Sequence, residues 1–369
     1  FGYFGGEGGA FRIDAYVDEV YINILARLIS ANALAGKAIV SDNAQLQAIM
    51  DGKYFRDIYQ LDNLVEKDYF GWISEPAHVA DFIPVARGVQ RDLYAYDFSW
   101  RAEEDLFGRL MSQLARRSQR KLLGQEWTPP WLAHHLAKCC LDELPEGEAP
   151  EIIDMCCGSG AILAEVIKAA KSDFDFDDIS QFGHVATGFD TDPLAVAFAK
   201  TTWVITLVDE INRASGPVTI PVFHADSLFA ATPVSASLPF LGESETIDIT
   251  LDGDTIRLPA GLLQPEYRDL FDRLIDWAYD EAQQTGSTQL NTDDARRSLA
   301  TIAAASRVTL STELSKAAAV AILALGRRMK ELAEAGRNGI WAFILRNTYR
   351  PGLLAGQFNG LVSNPPWLA

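Results

Sequence analysis

Between residues 13 and 34 the apolar positions Tyr16, Val20, Ile22, Ile24, Leu25, Leu28 and Ile29 recur close to a 3.6-residue period, which predicts one amphipathic helix. The following seventy or so residues are less regular. Aromatics are dense there (Tyr54, Phe55, Tyr59, Tyr69, Phe70, Trp72, Phe82, Tyr94, Tyr96, Phe98), a pattern expected of short helices and loops packed on a larger neighbour. A helical period returns over 102–123 and carries the one marked basic cluster, Arg109, Arg116, Arg117, Arg120 and Lys121. A solvated helix face and a phosphate-contacting face both fit that cluster.

From Glu151 onward the pattern changes to short apolar runs alternating with helical ones, which predicts a parallel sheet with crossover helices. Strands are expected at 151–155, 185–189 and 219–225, with helices at 161–170 and 194–208. After Asp226 the alternation breaks into a hairpin at 247–258, turning on Asp252-Gly253, a favoured type I′ pair. Helices are expected at 266–284, 293–305 and 312–335, and a last apolar strand at 360–363 runs into Asn364-Pro365-Pro366-Trp367. The chain shows neither an internal repeat nor a low-complexity linker.

Composition narrows the picture. A length of 369 residues predicts two or three compact units. No apolar run approaches the roughly 18 residues of a bilayer span, so a membrane-embedded chain is not expected. Thirty-two Lys plus Arg against fifty Asp plus Glu give a net charge of −18. Over most of the surface this disfavours a polyanion, so contact with nucleic acid requires a local basic face. The four cysteines form two adjacent pairs, Cys139-Cys140 and Cys156-Cys157, a spacing that suits neither a disulfide framework nor a zinc site and fits a reducing cytosol. The five histidines (His78, His134, His135, His184, His224) do not cluster in sequence, and no metal is expected. Because the chain opens on Phe1 and stops just after Trp367-Leu368-Ala369, a longer parent protein is expected, with further sheet strands and a recognition domain outside this stretch.

Four strand ends carry candidate chemistry. Asp154-Met155-Cys156-Cys157-Gly158-Ser159-Gly160 is a strand end followed by a glycine turn that opens a helix. Glycines there let a ligand approach the backbone, and the helix start offers free N–H groups. The spacing is neither the dinucleotide G-x-G-x-x-G nor the phosphate loop, since no lysine follows. A purely structural tight turn is the alternative.

Asp190, in Gly188-Phe189-Asp190-Thr191-Asp192-Pro193, stands where an acid accepts both hydroxyls of a ribose. Asp192 before Pro193 is expected to cap the next helix. Asp226, Ser227 and Leu228 repeat the strand-end geometry and suit an adenine amino group with an apolar contact to its ring.

At the last strand end, the Asn364 side-chain oxygen and the Pro365 carbonyl offer two acceptors for a planar amino group, Pro366 stiffens the loop, and Trp367 supplies a stacking face. Upstream, Thr128 is expected to be the N-cap of a helix whose first helical residue is Pro129 and which runs through His135, Leu136 and Leu141. Asp51-Gly52-Lys53 reads as a turn rather than a nuclease motif.

In that order, T-P-P, D-x-x-C-G-S-G, D-x-D-P, A-D-S and N-P-P-W, the motifs resemble those of the N6-adenine DNA methyltransferases in the gamma arrangement of type I, type IIG and phage-defence enzymes. The resemblance covers 127–367. It implies an α/β fold of the class I methyltransferase, Rossmann-like type: a parallel sheet with helices on both faces, preceded by a helical N-terminal region and interrupted by a large insertion. S-adenosylmethionine is the implied cofactor. Thr128 and the backbone around Cys156, Gly158, Ser159 and Gly160 would hold its methionine part, Asp190 its ribose and Asp226 its adenine, with Asp154, Ser227 and Leu228 also among the cofactor-binding residues. Asn364, Pro365, Pro366 and Trp367 would take a flipped adenine of DNA.

The expected organisation is a helical region at 1–123, a cofactor-binding part at 124–229, an inserted hairpin-plus-helical subdomain at 230–345 and the catalytic strand-loop at 346–369. The segment around Trp341, Arg346, Asn347, Arg350 and Pro351 resembles the lead-in to N-P-P-W in large restriction-modification and phage-defence members. The 364 − 226 = 138 residues separating Asp226 from Asn364 far exceed one crossover. Partner subunits of a restriction or defence complex, a cytoplasmic location and no membrane contact go with this reading. Two other readings remain at this point: transfer to a protein glutamine or RNA guanine amino group, and a non-catalytic scaffold that retains the pocket.

Overall fold

The computed structural model describes residues 13–99, 128–176, 178–227, 246–283, 291–337 and 340–365, so the expected basic helix at 102–123 lies outside the described residues. The chain divides into two compact units, Phe1–His224 with Phe358–Ala369, and Ala225–Gln357. The second unit begins before and ends after the expected 230–345 insertion. Six strands form among the described residues: β1 (Ile152–Asp154), β2 (Ala186–Asp190), β3 (Val222–His224), β4 (Thr246–Leu251), β5 (Asp254–Pro259) and β6 (Gly360–Leu361).

In the first unit the expected N-terminal helix forms as α1 (Ile13–Ala35). The aromatic stretch folds, as expected, into short pieces, including α2 (Asn43–Met50), α3 (Lys53–Tyr59) and α4 (Val79–Asp92). Asp42 caps α2 by accepting from the Gln45 N–H at 2.8 Å. The later helices are α5 (Pro130–Asp142), α6 (Ala161–Asp173) and α7 (Pro193–Thr206). The Asp192 carboxylate caps α7, accepting from Leu194 N–H at 2.8 Å and Ala195 N–H at 3.4 Å, with Pro193 in the first turn.

The sheet is parallel throughout, in the order β3-β2-β1-β6. Its register sets Asp154 opposite Gly188, Asp190 opposite His224, and Ile153 opposite both Thr187 and Leu361. A mostly helical chain with this four-stranded parallel sheet matches the expected α/β class. One continuous core joins Ile24 and Leu28 of α1, Phe55, Phe70 and Ile73 of the aromatic stretch, Ile152 of β1, Val166 and Ile167 of α6, and Phe198 and Trp203 of α7. The N-terminal helices therefore share the sheet's core.

A polar seam fixes that docking. Val218 N–H donates to the Gln60 carbonyl at 2.8 Å and its own carbonyl accepts from Asp62 N–H at 3.2 Å. The Asn63 carboxamide donates to the Ile220 carbonyl at 2.9 Å and accepts from the Ile220 N–H at 2.7 Å. Buried Lys200 on α7 donates to the Asn63 carbonyl at 2.7 Å and to the Glu66 carboxylate at 2.5 Å. β3 is consequently shorter than the expected 219–225, because residues ahead of it bond to the N-terminal segment.

The second unit holds the antiparallel β4–β5 hairpin and the helices α8 (Arg268–Gln283), α9 (Thr292–Ala305), α10 (Thr312–Glu334) and α11 (Trp341–Thr348). Asp252 (φ 48°) and Gly253 (φ 88°) both take positive φ, as a type I′ turn requires. Leu270, Phe271, Leu274, Leu299, Ile322 and Leu325 centre a separate core. The segment resembling a motif lead-in packs on α8: Arg350 makes two 2.9 Å hydrogen bonds to Asp272, and Arg346 bonds Asp276 at 2.7 Å.

Lys200→Met leaves Glu66 and the Asn63 carbonyl without a buried cation, and should destabilise the protein by about 3 kcal/mol in urea unfolding. A change within about 0.5 kcal/mol would show that the seam contributes little.

Candidate active site

β1 ends on Asp154, which is buried beneath the glycine turn. Its Oδ1 accepts from Cys156 N–H at 3.1 Å and from the Ser363 hydroxyl at 2.8 Å, while Oδ2 is buried with no hydrogen-bond partner. The turn itself runs through Gly158 (φ 53°) and Gly160 (φ 85°) into α6. At Gly160 a Cβ would lie 3.0 Å from the Ala199 Cα, so conformation and space both demand glycine. Gly188 of β2 is constrained by closeness alone: a Cβ there would sit 2.7 Å from Leu163 Cδ1 and 2.9 Å from Cys157 Sγ. Strand and turn are further joined by Cys157 N–H donating to the Phe189 carbonyl at 2.9 Å. The Ser159 carbonyl accepts from the Thr202 hydroxyl at 2.8 Å, tying the turn to α7.

Asp190 at the end of β2 clasps the turn. Its Oδ2 accepts from Gly158 N–H at 2.9 Å and its Oδ1 from Asp192 N–H at 2.8 Å. On the other side of β1, Val362 N–H continues the β6 ladder to the Ile153 carbonyl at 3.0 Å. Ser363 then reaches Asp154, and the next residue, Asn364, donates Nδ2 to the Thr128 hydroxyl at 3.2 Å. Pro365 follows, exposed.

Thr128 is not the helix cap expected from the sequence. Pro129 occupies the N-cap position (ψ 147°) and Pro130 the first helical position, with no side-chain cap bond. A residue before proline is pushed out of the helical region, so Pro130 forces Pro129 to stay extended and the helix starts one residue later. The Thr128 hydroxyl is thereby left to meet Asn364.

Burial raises several carboxyl groups in the first unit, Asp154, Asp190 and Glu19 among them. Asp154 is pushed up to about 7 by desolvation, with the Ser363 and Cys156 bonds opposing and the Asp190 charge adding to the rise. Asp190 rises to about 6 through desolvation and the Asp192 charge, against its backbone N–H bonds. Glu19 of α1 rises to about 8 through burial, with Asp192 and Asp18 adding to it. Burial, with Asp190 and Asp154 nearby, also lifts the Cys157 thiol well above its ordinary value. His224, facing the Thr191 carbonyl at 2.9 Å, is lowered by burial.

The structure thus brings Thr128, Asp154, Cys156, Gly158, Asp190 and Asn364 into one hydrogen-bonded neighbourhood, with Ser159 and Gly160 in the turn. Asp226 and Ser227 follow β3 in the chain but fall at the start of the second unit. Leu228, Pro366 and Trp367 lie outside the described residues. Sequence reasoning passed over Ser363, whose signal was its place directly before Asn364 at a strand end. It also passed over Glu19, which nothing in the local pattern separates from other polar positions of α1. Among the described residues no group of His, Cys, Asp and Glu is arranged to hold a metal ion, and no helix is long and apolar enough to cross a membrane.

A parallel sheet that gathers acids and a glycine turn at its carboxyl edge defines the class of α/β domains that bind ligands at strand ends. Residues 102–238 match the family model of the N-6 DNA methylases. No curated protein matches the chain.

A carboxyl whose folded pKa lies above its unfolded value stabilises the fold while protonated, and that stabilisation is lost as pH rises through the folded value. For Asp154 the window runs from the ordinary carboxylate value, about 4, to about 7. Without ligand, Asp154→Asn should match the wild-type melting temperature near the lower end of this window and exceed it above the upper end. Parallel melting curves at both ends would refute the raised carboxyl.

Proposed function

We propose that this protein transfers the methyl group of S-adenosylmethionine to the N6 amino group of adenine in DNA. The observation that carries the reading is the run Thr128–Asn364 and Ser363–Asp154 beside Gly158–Asp190, at the carboxyl ends of three adjacent parallel strands.

The residues present fit the cofactor. Asp154 Oδ2 is a buried acceptor that lacks a donor, and the Asp190 carboxylate, held by the backbone N–H groups of Gly158, Thr191 and Asp192, has up to about four acceptor sites, leaving capacity for a hydroxyl group. Asp190 would hold the ribose; Thr128, Asp154 and the turn through Cys156, Gly158, Ser159 and Gly160 the methionine part; Asp226, Ser227 and Leu228 the adenine. When bound, the cofactor supplies an electrophilic methyl group on a sulfonium.

The chain's own contribution is to hold the acceptor nitrogen. A ring-conjugated amino group is a poor nucleophile because its lone pair is delocalised. The Asn364 carboxamide oxygen and the Pro365 carbonyl would accept its two hydrogens and favour the pyramidal nitrogen that attacks in line. The 3.2 Å bond from Asn364 Nδ2 to Thr128 supports this role, because it anchors the amide through its nitrogen and leaves the acceptor duty to its oxygen. Pro366 would stiffen the loop and Trp367 stack on the extruded base. The family match over 102–238 supports DNA as the substrate. A class I sheet with helices on both faces, the gamma motif order, a cytoplasmic place in a restriction-modification or phage-defence system, and partner subunits there belong to the same proposal.

Calorimetric titration should give saturable binding of S-adenosylmethionine and S-adenosylhomocysteine that is lost in Asp190→Ala. Asn364→Ala should keep cofactor affinity within about twofold while methyl transfer to adenine-containing DNA falls about 100-fold or more. A folded wild-type protein that binds neither compound, or an Asn364→Ala variant that methylates at the wild-type rate, overturns the reading.

A further inference from the structure

α1 carries a polar stripe into the core of the first unit. Ser30 donates to the Ala26 carbonyl at 2.9 Å and lies 3.2 Å from the Thr201 hydroxyl of α7. Further toward the N-terminus, the Glu19 carboxyl feels the charge of Asp192, the N-cap of α7. With residue 30 bonded to 201 and residue 19 within electrostatic reach of 192, the two helices run in the same direction, and Glu19 lies on the side of the loop that leaves β2 through Asp190 and Asp192.

At that end two acceptors stand without donors. Glu19 Oε2 and Asn23 Oδ1 are both buried and both lack a hydrogen-bond partner. Asn23 is only 3% exposed. The two residues are four apart in sequence, hence stacked on one face of α1 a single turn from each other. No lysine or arginine is among the charges acting on Glu19, which are those of Asp192 and Asp18. Native interiors pair almost all buried polar atoms, and a pair of neighbouring exceptions needs a reason. Buried acceptors without a protein donor, on the side of the loop proposed to bind the cofactor, are suited to donors that arrive with a ligand.

We propose that Glu19 and Asn23 complete the cofactor pocket by accepting hydrogen bonds from the hydroxyl or amino donors of the nucleoside half of S-adenosylmethionine. This rests on the cofactor reading given above. The nucleoside half is chosen because Asp190, the ribose candidate, belongs to the loop that Glu19 borders. The N-terminal helical region then contributes to recognition as well as covering the sheet.

The test is calorimetric titration of S-adenosylhomocysteine and of adenosine into the wild type, Glu19→Met, Glu19→Gln, Asn23→Leu and Asp190→Ala, with melting curves of each ligand-free protein. Removing an acceptor in Glu19→Met or Asn23→Leu should weaken both ligands by a similar factor, about tenfold or more. Glu19→Gln, which keeps an acceptor oxygen, should restore most of the affinity. The ligand-free Glu19→Met protein should melt at or above the wild-type temperature, because an unpaired buried carboxyl has been removed. A merely structural Glu19 would do the reverse, lowering the melting temperature with affinity within about twofold. If the wild type binds and Asp190→Ala does not, yet Glu19→Met and Asn23→Leu bind like the wild type, the inference falls and the cofactor reading stands. If the wild type binds neither ligand, both fall.

Discussion

The Asp190 carboxylate joins two loops, reaching a residue 32 positions away in the chain: one oxygen holds the Gly158 N–H of the glycine turn, the other the Asp192 N–H of its own loop. The glycine turn and the start of α7 both hang on that clasp. It draws the β1–α6 turn over the end of β2, and the turn in turn occupies space that only Gly188 and Gly160 leave open. It also aligns Asp192 to cap α7, the helix on which Lys200 and Thr202 anchor the N-terminal segment and the turn. A side chain proposed to bind a ligand is thus already a structural member, which explains how one short carboxylate can be held in place before any ligand arrives.

The electrostatics follow from the same arrangement. Glu19, Asp154 and Asp190 are each raised first by burial, and Asp192 or Asp190 adds like charge to each. Folding holds these groups in an environment that disfavours their charged forms. Regions of local cost are common where structure is shaped for binding. The orphaned Asp154 Oδ2 and Glu19 Oε2 express that cost in hydrogen-bond terms, and the raised acids express it in protonation.

Much of this was legible in the sequence because it depends on local chemistry. The strand-helix alternation after Glu151 gave three neighbouring parallel strands, the Asp252-Gly253 pair gave its hairpin turn, and Asp192 before Pro193 gave a helix cap. Adjacent prolines defeated the reading of Thr128, since a rule that places one proline at the first helical position does not say which of two will take it, whereas the steric demand of Pro130 on Pro129 does. The length of β3 and the importance of Ser363 and Glu19 were hidden for another reason. Their partners, Gln60 and Asn63, Asp154, and Asp192, lie far away in the chain, and no local period encodes them.

β6 is two residues long, yet it delivers Ser363 and Asn364 to the edge of β1 across a very large interval of chain: Glu151 and Asn359, which bond at its start, are 208 residues apart. Closing so long an interval is entropically costly for a free chain and slow to find. The intervening unit, with its own hydrophobic core, changes that problem by gathering the chain between β3 and β6 into a folded body before the ends need to meet. During synthesis β1, β2 and β3 emerge long before β6, so the acids of the sheet edge are in place while the Asn364 loop is still unmade. The order of assembly therefore separates the parts proposed to hold the cofactor from the part proposed to use it, and the newborn chain lacks the Asn364 loop until β6 docks.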